Sequence, residues 1–136
     1  MDLSKTFPRS PKQEMAGLVH LTRMIDKGRA YKESKLADYI FPCPLDKIIL
    51  SFLRIDAEVF ANMIIEKNDD QINDWAKKIT NSKPQIALDL TNNQILERRP
   101  DSKDRFEYFN ELRNKIDSSR TDVNTWAELI DLEEGR

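Results

Sequence analysis

Residues 45–55 read LDKIILSFLRI. A helix drawn through this run carries apolar side chains on nearly every side, so other elements have to cover it. A chain of 136 residues can supply that cover within one domain. Cys43-Pro44 marks the start. A residue before proline is biased to extended geometry, as an N-cap must be, and proline fits the first helical position. Asp46 then falls in the first turn, where unpaired N–H groups favour negative charge. The helix over 44–54 is therefore expected to be central and the most buried in the fold.

The surrounding pattern is also helical. The chain has only three glycines and is 34% charged, which favours helices with solvated faces over a turn-rich β architecture. No convincing period-two alternation appears. Ser10 and Pro11 read as the cap and first residue of a helix that buries Met15, Leu18, Val19 and Ile25 and ends near Gly28. Asp56 caps a helix with Val59, Phe60, Met63 and Ile64 inward. Asp69 or Asp70 caps another, with Ile72, Trp75, Ala76 and Ile79 in one stripe. Ser82 and Gln85 form a capping box for a helix running toward Arg98. Asp101 or Ser102 opens a helix with Phe106, Phe109, Leu112 and Ile116 on one side. Val123, Trp126, Ala127 and Ile130 mark the last. The expected fold is all-α: a compact single domain over 11–136 with six or seven short helices. An extended arm over 1–10 precedes it, anchored by Phe7 and held out of helix by Pro8 and Pro11.

Two segments resemble each other. INDWAKKI at 72–79 matches VNTWAELI at 123–130, and EVFANM at 58–63 precedes the first as EYFNEL at 107–112 precedes the second. A helix–turn–helix unit repeated at 58–79 and 107–130 accounts for this, and so does convergence of two amphipathic patterns.

Several chemistries are excluded. One cysteine rules out an internal disulfide and a cysteine-built zinc site, and one histidine rules out a His-paired one, so neither metal nor cofactor is expected. There is no glycine-rich phosphate loop and no serine elbow. No apolar run approaches the ~18–20 residues of a membrane span. The first residues lack the apolar stretch of a signal peptide, and a cytoplasmic protein without membrane contact is expected. A net charge of −2 disfavours nucleic acid as a partner. That charge is uneven: residues 1–36 carry eight Lys/Arg against four Asp/Glu, and residues 117–136 carry two against six. Either the two ends meet and neutralise one another, or the first is a basic anion-binding face.

One constellation stands out. RMIDKGRAYK puts Arg23 and Lys27 on one helix face at i, i+4, and Asp26 and Arg29 on another at i, i+3. The spacing fits a solvated salt-bridge ladder. It also fits a pocket for an anion or polar partner, formed with Cys43 and Asp46 at the start of the Pro44 helix. The leading functional expectation is a small helical domain that binds a protein partner or a small anionic ligand without catalysis. The alternative is an enzyme in which Cys43 or Asp46 reacts while Arg23 and Lys27 hold an anionic substrate. A dyad of Cys43 with His20 requires the two to meet in space; His20 by itself reads as a half-exposed helix residue.

DLSKTFPRSP, HLTRMIDKGRA, CPLD, IDAE and TWAELIDLEEGR together resemble a bacterial family of uncharacterised proteins, domain of unknown function 5069. The likeness spans nearly the whole chain. It implies no activity and brings no catalytic residue. Two departures accompany it: Thr22 where the resemblance leads one to expect proline, and Pro42 where it leads one to expect a polar residue.

Overall fold

The computed structural model describes residues 1–136. Two short strands, β1 (Glu14–Met15) and β2 (Leu18–Val19), precede seven helices. These are α1 (Leu21–Lys32), α2 (Pro44–Leu53), α3 (Ala57–Ile64), α4 (Asp69–Thr80), α5 (Gln85–Leu96), α6 (Lys103–Asp117) and α7 (Trp126–Glu133). The protein is thus a mostly helical single domain. No helix is long and apolar enough to cross a membrane.

The segment expected to open the first helix is instead a hairpin, with Glu14 paired to Val19 and Met15 to Leu18. Its two turn residues, Ala16 and Gly17, both have positive φ (55° and 82°), the geometry that matches the twist of a two-residue hairpin. Asn92 of α5 pins it, accepting from the Val19 N–H at 3.0 Å and donating to the Gly17 carbonyl at 2.9 Å. Leu18 and Val19 are buried as either reading requires. A short apolar run does not by its spacing separate helix from hairpin.

Helix α1 therefore starts ten residues later than expected, and it is the most buried helix. Every residue from Leu21 to Gly28 is buried, and so is Ala30. Gly28 does not end it. A Cβ at Gly28 would stand 2.7 Å from Ile64 Cδ1, so the missing side chain is what lets α1 and α3 cross closely. Thr22 lies in the first turn, where proline is tolerated equally well, so its presence does not decide whether α1 is continuous. Helix α2 buries Leu45, Asp46, Ile49, Leu50 and Leu53, but leaves Lys47 and Ser51 exposed and Ile48 and Phe52 half-buried. The expected central helix is a flank of the core, and the charged helix is its centre.

The other starts differ in detail. Asn68, not Asp69 or Asp70, caps α4 through a reciprocal box with Gln71. Ser82 donates back to the Ile79 carbonyl at 2.6 Å, and α5 begins after Pro84. Asp56, Ser102 and Thr125 occupy cap positions. The two similar blocks take different local structure: Ile72-Asn73-Asp74-Trp75 lies inside α4, whereas Val123-Asn124-Thr125 precedes α7, because Thr125 starts that helix. On α6 only Phe109 is buried, while Phe106 and Ile116 are exposed. Phe109, Val123 and Leu129 make a small separate core, with Trp126 edge-on to Phe109 at 5.0 Å. In the arm, Leu3 is the buried anchor, and its N–H bonds the Lys35 carbonyl. Phe7, expected in that role, is 54% exposed.

Candidate functional site

The face of α1 that enters the core carries His20, Arg23, Asp26 and Lys27, all buried. Buried charge is tolerated only when paired and hydrogen-bonded, and the elements covering α1 supply the partners. From the arm, Arg9 grips Asp26 through Nε and Nη2 at 3.0 Å and through its own backbone N–H at 2.8 Å. From the C-terminal segment, Glu134 takes a bidentate pair of bonds from Arg23, both at 2.8 Å. From α2, Asp46 accepts from Lys27 Nζ at 2.7 Å. From α4, Asp69 accepts from Arg29 at 2.9 Å. None of these groups pairs with another on its own helix, so the expected salt-bridge ladder is replaced by four ties to other parts of the chain.

Asp46 is a fully buried carboxylate with both oxygens engaged. Oδ1 accepts from His20 Nε2 at 2.7 Å, and Oδ2 accepts from Lys27 and from the Cys43 N–H at 2.9 Å. Burial would raise its pKa, but the His20 hydrogen bond and the Lys27 charge outweigh burial and hold the carboxyl well below the usual range. Burial drives the His20 pKa down, partly opposed by Asp46. Opposite the ionised Asp46, His20 Nε2 is the donor of this bond, and in the neutral ring that burial favours, Nδ1 is left as an acceptor. Nδ1 is buried and has no protein partner. The residue also sits in the left-handed region, at φ 70°, a costly place for a non-glycine side chain. Contrary to the half-exposed role expected for it, His20 is 0% exposed.

Cys43 is the extended cap of α2, at φ −88° and ψ 173°. Its sulfur faces the Asp46 N–H as the weak half of a capping box whose strong half is the Asp46 carboxylate. Burial, then the Asp46 charge, pushes the thiol pKa up. His20, Cys43 and Asp46 bring three ligand-type atoms within 4.8 Å of one another, but they do not fit a metal as arranged. The cation beside Asp46 is the Lys27 ammonium, and His20 turns an N–H, not a lone pair, toward the carboxylate.

Above this cluster opens a cleft of about 710 Å³, lined by His20, Arg23, Lys27, Tyr39, Cys43 and Glu134 and by apolar Leu3, Phe7, Ile40 and Ile130. The Tyr39 hydroxyl donates to Glu134 at 2.8 Å, and the Arg23 guanidinium lies 5.6 Å from the Tyr39 ring. Of the six residues expected to form a site, Arg23, Lys27 and Cys43 line the cleft, and Asp46 is bonded to three residues of its lining, His20, Lys27 and Cys43. Asp26 and Arg29 tie instead to Arg9 and Asp69, outside it. Tyr39 and Glu134 are the residues that sequence reasoning missed, and His20 entered it only as a conditional partner of Cys43. Its single occurrence was the only signal among the three.

A mostly helical domain with a buried His–Asp–Lys cluster beside an open cleft is the class of protein that this geometry defines. The chain belongs to the family described as Domain of unknown function (DUF5069), whose model matches residues 5–136. No curated protein matches it.

Proposed function

We propose that the protein binds, without covalent chemistry, a small ligand with an apolar body and a hydrogen-bond-donating head in the cleft over His20. The observation that carries this reading is the His20 ring itself. A buried acceptor without a partner costs ~1–3 kcal/mol, and a left-handed side-chain residue adds ~1–3 kcal/mol. The ring lines the cleft, and a ligand whose O–H or N–H displaces the side chains covering Nδ1 relieves the first cost. Phe7 and Ile40 at the cleft are 54% and 69% exposed, which supports an apolar body for the ligand.

Charge argues against the anionic ligand expected from Arg23 and Lys27, since Glu134 and Asp46 already neutralise them. Catalysis is supported less than binding. Asp46 is ionised with both oxygens engaged, and Cys43 is a neutral thiol rather than the thiolate that reacts. A free cysteine fits a reducing compartment, and on that ground we place the protein in the cytoplasm.

Thermal melting with 1-hexanol, hexanoate and hexylamine tests the reading. Hexanol should raise the melting temperature of the parent and not of His20→Asn. Equal stabilisation by hexanoate would restore the anionic ligand, and no response to any of the three would end the proposal. The proximity of Cys43 and His20 favours one competing reading, a nucleophilic thiol with His20 as base. Iodoacetamide should label native Cys43 more slowly than free cysteine; faster labelling would favour the enzyme.

A further inference from the structure

We propose a second site, on the other side of Cys43, that binds a small phosphate-bearing molecule through Arg98, Arg99 and Arg105. A pocket of about 240 Å³ lies there, with Cys43 and Ile130 forming the wall it shares with the larger cleft. Its three arginines differ from Arg9, Arg23 and Arg29 in the respect that matters: none of the three takes part in an ion pair. One carboxylate, Asp101, lies in the wall and is likewise outside every ion pair, so the lining carries a surplus of positive charge.

Three further observations point the same way. The Arg105 guanidinium lies over the rings of Trp126 and Tyr108, 5.0 Å and 5.3 Å from their centroids. These cation–π contacts position the guanidinium without using its N–H donors, which stay free for an oxyanion. The first turns of three helices reach the pocket: Pro44 and Leu45 begin α2, Arg105 is in the first turn of α6, and Trp126 begins α7. Each brings the partial positive charge of a helix start, although the Arg105 and Trp126 N–H groups are themselves taken by the Ser102 hydroxyl and the Arg98 carbonyl. The Arg98 carbonyl accepts from the Trp126 N–H at 3.0 Å, which fixes the arginine-bearing loop against α7. An oxyanion with several oxygens, such as the phosphoryl group of a monoester or diphosphate, matches several forked donors. The three arginines rim a half-open pocket of small volume, which suits a small molecule rather than a nucleic-acid strand. The site shares only Cys43 and Ile130 with the cleft over His20 and does not rest on the function proposed for that cleft.

Trp126 provides the readout. In a Trp75→Phe background it is the only indole, and titration with inorganic pyrophosphate at low ionic strength should give a saturable change in its emission. Calorimetric titration of the parent protein gives the same answer without that background. Arg98→Gln and Arg99→Gln should each weaken pyrophosphate about 10-fold. Arg105→Lys, which keeps the charge but loses the guanidinium fork, should weaken it by a similar factor. Arg54→Gln, outside the pocket, should leave affinity unchanged. Absence of calorimetric binding up to ~10 mM pyrophosphate would overturn the proposal. So would equal affinity in the parent and all three pocket variants, or the same emission change with chloride at matched ionic strength.

Discussion

At His20 one side chain combines three unusual conditions: full burial, left-handed backbone and a ring nitrogen without a partner. The ring's depressed pKa has a consequence for stability. A group that takes up a proton less readily in the folded state than in the unfolded chain favours unfolding as pH drops below its ordinary value, here 6.5. Stability should therefore fall between pH 7 and pH 5. Asparagine tolerates the left-handed region and keeps a donor for Asp46, so His20→Asn should fold and flatten that limb. Urea denaturation across the range checks this, and an unchanged profile would mean another group titrates. Cys43 raises a smaller question. Its sulfur is a weak acceptor for the Asp46 N–H, and serine is a better one. Cys43→Ser should hold stability within ~1 kcal/mol of the parent or raise it slightly. A loss beyond ~2 kcal/mol would show that the sulfur serves as packing rather than as a cap.

At the scale of elements, α1 inverts the usual arrangement, because charged side chains lie on the face that the rest of the chain covers. What holds α1 to α2 is partly the Lys27–Asp46 bond at 2.7 Å. Removing one partner leaves the other as an uncompensated buried charge, so Asp46→Asn should cost ~3–5 kcal/mol and Lys27→Met about as much. The double variant should cost less than the sum by at least ~1 kcal/mol, because each single change strands the same charge pair. Denaturant midpoints test this, and simple additivity would mean that the pair is not coupled. Helix α6 is the opposite case. With Phe109 its only buried residue, it rests on the small core with α7. In native-state hydrogen exchange its amides should exchange before those of α1. Equal protection would show one cooperative unit.

At the scale of the molecule, both ends of the chain converge on α1. Ser10 donates to Asp131 at 2.9 Å, and Arg136 reaches the Pro8 carbonyl and Glu134, both at 2.7 Å. Between the basic first segment and the acidic last one only Arg23 and Glu134 form an ion pair; the other ties between the two ends are hydrogen bonds. Asp46, Asp69 and Glu134 all have lowered pKa values. Each adds stability above its ordinary value, 3.8 for the aspartates and 4.5 for Glu134, that is lost as pH falls below it. Tyr39 acts at the other extreme: burial, then Glu134, pushes it up to about 12 from 10.0, so stability should also drop as pH rises through that interval. A pH series of melting temperatures should show a plateau between the His20 limb and the Tyr39 limb, with a further drop where the carboxylates protonate. Retention of the full melting temperature at pH 3 would mean that the carboxylate ties do not hold the fold.

What the sequence determined by itself is local. The helical class, the cap at Ser102 and the starts after Cys43 and Asp56 rest on neighbours within a few residues, where sterics and capping act alone. Tertiary structure decided the rest. Met15, Leu18 and Val19 suit a helix or a hairpin equally, and the Asn92 side chain from α5 pins the hairpin. Arg23, Asp26, Lys27 and Arg29 read as a solvated ladder until the arm, α2, α4 and the C-terminal segment deliver the carboxylates and arginine that pair with them. Nothing in the sequence sets Arg98, Arg99 and Arg105 apart, because no spacing along a chain records which charges lack a partner. Burial and pairing depend on which distant segment arrives, and packing of the whole chain sets that.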